Sequence, residues 1–310
     1  MEEQIHPNRD RLAGIKDFYD KQYKKLLIIP FALLLIAIAL ISFKYATTGD
    51  FINRDITIKG GVTVTIPVKS NIDVLSLENS LKNDFPGNDI SVRALSQFGT
   101  QVGIVVEGDV SESEAHSLIE KIRQRANLRL GEKDYTVEIV GSSLGISFFR
   151  EVVTALLIAF AFMSIVVFLY FRTFVPSMAV ILAAFSDIVV TLAIINLLGV
   201  KLSSAGIAAF LMLIGYSVDT DILLSTRVLK RKEGTVMDRV LGAVKTGFMM
   251  TLTTIVAVIA ALVFTQSEVI KQIMIILLVG LFIDMINTWI QNVGILRLYV
   301  ERKERKHLQH

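Results

Sequence analysis

The sequence predicts a polytopic α-helical membrane protein with six transmembrane helices and an inserted α+β domain. Three observations lead to this prediction. First, 53% of the 310 residues are hydrophobic and the mean hydropathy is +0.58, which is high for a soluble protein. Second, the charged residues, 20% of the chain, cluster between long apolar runs instead of spreading along amphipathic stripes. Third, a mixed, polar region separates the first apolar run from the later ones.

The apolar runs are long enough to cross a bilayer as helices. The first span, residues 26–44, follows an N-terminal segment of residues 1–25 and is expected to stay uncleaved, since no small-residue cleavage site comes after it. A five-helix membrane domain is predicted at residues 151–297, before a basic tail of residues 298–310. Its spans are residues 152–171, 175–198, 204–228, 243–264 and 270–296.

The inserted domain, residues 45–150, has the pattern of a ferredoxin-like fold. Alternating polar and apolar residues indicate strands, and a Ser111 cap with Glu114 three positions later opens a helix. The predicted strands are residues 56–58 with 62–66 around a glycine pair, 90–95, 101–107 and 135–140, and the predicted helices are residues 73–85 and the one opened by Ser111. The order strand, helix, strand, strand, helix, strand is the split βαβ arrangement.

Lysine and arginine are divided unequally between the two sets of loops. One set contains the N-terminal segment, Arg172, the stretch around Lys230 and the basic tail, whereas the opposite short loops contain only Lys201 and Lys271. The positive-inside rule therefore predicts a multi-pass protein of the cytoplasmic membrane, with both termini cytoplasmic and the ferredoxin-like domain extracytoplasmic. The basic residues are topology signals of a protein surrounded by membrane lipid, and no nucleic acid partner is expected.

Nothing in the sequence predicts an enzyme. The chain has no cysteine, and its four histidines lie outside the predicted spans. No nucleophile–base set, phosphate-binding glycine loop or metal-ligand spacing can be assembled from them. We therefore expect no catalytic residue, no cofactor and no metal.

Four aspartates inside the predicted spans are candidates for a proton or ion relay. A charge near the bilayer centre costs a few kcal/mol or more, so such residues are rare without a function. At about 1.5 Å rise per residue, Asp187, Asp219 and Asp284 lie close to the midplane on three different helices. Asp221 is two residues from Asp219 and points to nearly the opposite side of the same helix.

Other polar or small residues stand near these aspartates at helical spacing and could support them. They are Gly215 and Tyr216 before Asp219, Thr191 after Asp187, Asn287 with Thr288 after Asp284, and Lys245 in the fifth span. The alternative for Asp187 or Asp284 alone is a protonated packing residue, and for Lys245 a side chain that reaches the interface. Asp219 is the favoured functional residue, because Gly215 one turn earlier allows another helix to approach beside the acid.

Four segments carry a resemblance to a known family. They are Ile58–Gly61, Val140–Gly145, Ser186–Leu192 and Ile214–Asp221 with the later Arg227. They look like that family's glycine pair, its Val-Gly-Pro-x-Leu-Gly entry to the second span, its His-Asp-x-x-x-Thr-Leu third span and its Ile-Gly-Tyr-Ser-x-Asn-Asp-Thr fourth span. Over nearly its full length the chain thus resembles the SecF family of protein-export membrane proteins, within the resistance-nodulation-division (RND) superfamily.

The departures from the bacterial pattern resemble the archaeal branch of this family. Asp219-Thr220-Asp221 replaces Asn-Asp-Thr, so the acid of the bacterial motif falls on Thr220 and its neighbours carry the charge. Lys245-Thr246 stands where bacterial members have an arginine in the fifth span, and Asp284–Trp289 occupies the last span. The archaeal branch is not accompanied by the SecA motor.

The resemblance implies an auxiliary subunit of the Sec protein translocase with an RND-like membrane half. The implied partners are a SecD-like subunit, the Sec translocon (the SecY/SecE complex) and an unfolded translocating polypeptide. Proton movement through the membrane aspartates would drive motion of the outer domain. Two alternatives remain: half of an RND-type exporter of small molecules or lipids, which usually has a larger outer domain, and a passive assembly scaffold, which has no need of midplane carboxylates.

Overall fold

The computed structural model describes residues 22–68, 71–97, 100–128, 131, 134–230, 234–265 and 267–307. Most of the predicted N-terminal segment and the last three residues of the basic tail lie outside these ranges. The elements in chain order are α1 Ile28–Thr48, α2 Ile56–Lys59, β1 Gly61–Pro67, α3 Val74–Asp84, β2 Ile90–Gln97, β3 Thr100–Gly108, α4 Ala115–Arg125, β4 Thr136–Val140, α5 Ser142–Phe171, α6 Phe174–Leu197, α7 Ser204–Lys230, α8 Val236–Phe264, α9 Glu268–Ile286, a π-helix Asn287–Asn292, and α10 Val293–His307.

The membrane part consists of helices that match the predicted spans in number. Within the described ranges, six helices are long and apolar enough to cross a membrane, which confirms the predicted fold class. These are α1, α5, α6, α7, α8 and the continuous rod formed by α9, the π-helix and α10. Helices α6 and α7 are the most buried, whereas α5 has few buried residues in its apolar stretch.

Three membrane helices extend by about two or three turns beyond the apolar runs from which they were predicted. Helix α5 begins at Ser142, α8 begins at Val236, and the last rod continues to His307, into the segment predicted as a basic tail. The start of α8 is fixed by a capping box, in which Asp238 N–H donates to Thr235 Oγ1 at 3.2 Å and Thr235 N–H donates to Asp238 Oδ2 at 3.1 Å. Hydropathy does not detect polar turns that continue a helix into water.

The inserted domain is a four-stranded antiparallel sheet in the order β2-β3-β1-β4. This order, with α3 and α4 as crossovers, is the predicted ferredoxin-like fold. One face of β1 presents Val62, Val64 and Ile66, all fully buried against α3 and α4 through residues such as Leu81 and Leu118. The predicted Ser111–Glu114 capping box is also present.

The strand predicted at residues 56–58 is wrong, because this segment forms the helical turn α2. The Asp55 carboxylate accepts a hydrogen bond from Thr57 N–H at 2.9 Å and so caps the turn. Ile58 is fully buried, but it packs against the membrane helices and not in the domain core. The apolar residues at alternate positions in this part of the chain therefore belong to two different hydrophobic cores, and their alternation did not indicate a strand at residues 56–58.

The domain is attached to the connection between α6 and α7. Leu202 N–H donates to the Asn53 carbonyl at 2.6 Å, and Asp55 N–H donates to the Leu202 carbonyl at 3.0 Å. The Asn196 side chain accepts from Asn53 N–H at 3.2 Å and donates to the Phe51 carbonyl at 2.9 Å. Since α6 and α7 carry Asp187 and Asp221, the domain is bound directly to the helices that hold two of the membrane carboxylates.

Candidate functional site

Three carboxylates from three helices meet inside the membrane bundle. Asp187 lies on α6, Asp221 on α7 and Asp284 on α9, and their exposed fractions are 0%, 0% and 1%. Each is therefore removed from water and from lipid, which is tolerable only with hydrogen-bond partners. The surrounding polar side chains provide such partners.

Asp187 is held by one hydroxyl and one amide. Ser217 Oγ, from α7, donates to Asp187 Oδ2 at 2.5 Å, and Asn287 Nδ2, from the π-helix, donates to Asp187 Oδ1 at 2.7 Å. These two bonds join the carboxyl of α6 to α7 and to the π-helix.

Thr288 joins the other two carboxyls. Its Oγ1 lies 2.9 Å from Asp221 Oδ1 and 3.0 Å from Asp284 Oδ1. Asn292 Nδ2 donates to the same Asp221 oxygen at 2.7 Å, whereas Asp221 Oδ2 has no partner among the described residues. A threonine hydroxyl has one proton to donate, so both contacts are satisfied together only when one carboxyl is protonated and donates in return.

The π-helix creates most of this site. Its wide turn places Asn287, Thr288 and Asn292 towards Asp187 and Asp221, and all of them are buried. Single π turns inside α-helices occur frequently at functional sites. The adjacent Gln291 is also buried, and neither of its side-chain polar atoms has a partner among the described residues.

Close helix contacts hold the network in place. A Cβ atom on Gly247 of α8 would lie 2.5 Å from the Trp289 ring and 3.2 Å from Thr220 Cγ2. A Cβ atom on Gly280 of α9 would lie 2.6 Å from the Leu213 side chain of α7. Glycine at both positions therefore permits α8 to approach α7 and the π-helix, and α9 to approach α7.

Asp219, the favoured residue of the sequence prediction, does not join the buried network. It is exposed near the middle of α7, on the same outer surface as Gly215 and as Tyr216, which is 40% exposed. Asp221 occupies the inner face instead. The sequence had placed the two aspartates on opposite sides correctly, but it could not tell which side faces α6 and α9.

The remaining predicted residues divide in the same way. Asn287 is in the network, and Thr191 is buried one turn after Asp187, although its hydroxyl has no partner among the described residues. Lys245 is exposed on α8 and is not part of the network.

Sequence reasoning missed Ser217 and Asn292 as network members. Four polar residues within six positions of the last span, Asn287 to Asn292, were the signal that could have found the π-helix.

A second polar region lies where the open face of the sheet meets the membrane helices. A cavity of about 260 Å³ is lined there by Asp55, Arg93, Glu107 and Gln272, among others. Glu107 is 3% exposed and forms an ion pair with Arg93. Burial raises the pKa of Glu107 above its ordinary value, and Arg93 opposes this shift.

The fold and the buried site define a class of protein: a six-helix membrane protein with buried carboxylates and an inserted ferredoxin-like domain. The model of the C-terminal part of SecD/SecF protein-export membrane proteins matches residues 121–302. Among solved structures, SecDF from Thermus thermophilus, a translocon-associated membrane protein, superposes with a TM-score of 0.71 at 21% identity. The superposition covers 91% of this chain and 38% of that longer chain.

Relatives that match over nearly their full length assign the chain to one family. It is 38% identical over 283 residues to the protein-export membrane protein SecF of Pyrococcus furiosus, covering 91% of this chain and 93% of that protein. It is 40% identical over 286 residues to SecF of Methanocaldococcus jannaschii, covering 90% and 96%. The chain belongs to the SecF family of protein-export membrane proteins, as its motifs predicted.

Proposed function

We propose that this protein assists the export of unfolded secretory proteins, as an accessory subunit of the Sec translocase driven by proton movement. The observation that carries this proposal is the Thr288 bridge between Asp221 and Asp284. The bridge has a protonated and an unprotonated arrangement, and these cannot have the same hydrogen bonds. The role is mechanical, and no catalytic reaction is part of it.

A proton entering or leaving the network would change the packing of α6, α7 and α9. Ionising both bridged carboxyls would leave the single proton of the Thr288 hydroxyl between two charges, so the helices that carry them would be driven apart or would admit water. The α6–α7 connection holds the ferredoxin-like domain through Asn53 and Leu202. Movement of these two helices would therefore tilt the domain, which would hold or release the translocating polypeptide.

A SecD-like subunit is the partner that the outer surface of α7 requires. Asp219 is exposed near the middle of a membrane helix, where contact with hydrocarbon is costly for a carboxylate. A second membrane subunit that covers Asp219 and Tyr216 would remove that cost. This chain matches 38% of the solved SecDF chain, so there is room in that longer protein for a SecD-like half. We propose that the complex stands beside the SecY/SecE translocon.

The proposed location is the cytoplasmic membrane, with both termini in the cytoplasm and the ferredoxin-like domain outside. The unequal distribution of lysine and arginine between the loops supports this orientation. In this orientation the polar cavity below the sheet faces the side on which an exported chain emerges.

The test is the export of a reporter protein into membrane vesicles at matched expression, with and without a proton gradient. Asp221→Asn and Asp187→Asn keep size and hydrogen bonding but remove ionisation, so both variants should insert normally and lose the gradient-dependent part of export. Glu120→Gln, an exposed change on α4, is the matched control. Export by Asp221→Asn at the wild-type rate under a gradient would contradict the relay.

A further inference from the structure

An apolar cleft in the membrane part is separate from the carboxylate network. It has a volume of about 210 Å³ and lies between α5 and the α6–α7 pair, at the end of the bundle that carries the domain. Phe149, Val153 and Leu157 of α5 line one side, and Leu192 and Phe210 line the other. All of its lining residues are apolar. Leu157 is 65% exposed, so the cleft opens towards the bilayer.

Water does not fit this cleft, because it offers no polar partner, and apolar cavities of this kind stay dry. Hydrocarbon is the solvent next to it. The cleft is several times larger than the roughly 30 Å³ that one water molecule occupies, so it has room for several methylene groups of a chain. A lipid chain would fill it with the same apolar contacts that a side chain would make.

The mouth of the cleft carries a cationic side chain. The Arg54 guanidinium lies 5.1 Å from the centre of the Phe149 ring, and Phe149 is itself a lining residue. Arg54 forms an ion pair with Asp50 on one nitrogen, while its Nε has no partner among the described residues. Lys44 lies nearby, against the Asn53 side chain. The Arg54 guanidinium has five N–H donors, and its ion pair with Asp50 uses only one nitrogen, so it complements an anionic headgroup.

We propose that this cleft is a binding site for one phospholipid, with a hydrocarbon chain between α5 and the α6–α7 pair and its phosphate against Arg54. The lipid completes the packing of α5, which has few buried residues of its own. Because α5 follows β4 directly, the bound lipid also supports the base of the domain.

The test is native mass spectrometry of the purified chain with phosphatidylglycerol and with diacylglycerol of the same chains. The wild type should retain one lipid and prefer phosphatidylglycerol by about tenfold, the factor expected for one charge-assisted contact. Arg54→Gln should retain both lipids equally, whereas Arg150→Gln, at the same end of the bundle, should keep the preference. Val153→Trp fills the cleft and should lose both lipids, whereas Val166→Trp, on the lipid-facing surface of α5, should behave as wild type.

The proposal would be overturned by lipid retention in Val153→Trp equal to that of the wild type, or by an unchanged phosphate preference in Arg54→Gln. Retention of neither lipid by the wild type would also overturn it, and would indicate that a partner helix fills the cleft instead. If Val153→Trp does not fold, Arg54→Gln still decides, because this partly exposed side chain can be changed without altering the helix packing.

Discussion

Replacing Thr288 by valine tests the network most directly, because valine has nearly the same shape and lacks the hydroxyl. Asp221 and Asp284 each lose one hydrogen-bond partner. A buried polar group left unsatisfied costs about 1–3 kcal/mol, and Asn292 still donates to Asp221, so we expect a total loss of about 2 kcal/mol in the free energy of unfolding. With an unfolding entropy of about 2.1 cal/mol/K per residue, a loss of about 2 kcal/mol in a chain of 310 residues corresponds to a fall of about 3 °C in Tm.

The assay is thermal unfolding in detergent, followed by tryptophan fluorescence. The chain has one tryptophan, Trp289, next to Thr288 and against Gly247, so the signal reports on the site. Thr288→Ser keeps the hydroxyl and should lose less stability than Thr288→Val. Thr253→Val removes an exposed hydroxyl of α8 that bonds only a backbone carbonyl, and it should have almost no effect. A valine variant that unfolds at the wild-type temperature would refute the bridge.

Three further predictions concern packing, pH and topology. Gly247→Ala should lower stability by about 1–3 kcal/mol, because its Cβ would overlap the tryptophan ring. A Cβ on Gly215 would have nothing within 4 Å, so Gly215→Ala should be neutral or stabilising in the isolated chain. Thermal unfolding measures both variants. Burial raises the pKa of Glu107 in the folded protein above its ordinary value of 4.5. The protonated carboxyl therefore contributes to stability at low pH, and this contribution is lost as the pH rises above 4.5. Glu107→Gln should flatten that part of the dependence of Tm on pH. Cysteines introduced at Asn79 and Glu304 should react with an impermeant thiol reagent from outside only at Asn79, since the chain has no cysteine of its own.

Each of these predictions has a clear contrary result. Equal melting of the Gly247 and Gly215 variants would mean that the tryptophan ring is not packed against α8. A pH profile unchanged by Glu107→Gln would show that burial does not control this carboxyl. Labelling of position 304 from outside would reverse the proposed orientation.

The sequence predicted the membrane helices because bilayer thickness imposes a length and a polarity on each span. The sequence also predicted the inserted domain, because the order of its strands and helices is that of the split βαβ arrangement, and the sheet has the strand order of that fold. Local patterns were less reliable where a residue belongs to another core. Ile58 matched a strand pattern, yet its side chain packs against the membrane helices.

The sequence by itself predicted the depth of each intramembrane aspartate, since depth within a span follows from the rise of about 1.5 Å per residue. It also determined that Asp219 and Asp221 point in opposite directions. Only the tertiary structure decided that Asp221 faces inward, because the direction of a helix face depends on the neighbours against which the helix packs. The tertiary structure also decided the position of the π-helix. Its wide turn after Asp284 brings Asn287, Thr288 and Asn292 to carboxyls on α6 and α7. These contacts exist only after the helices have assembled.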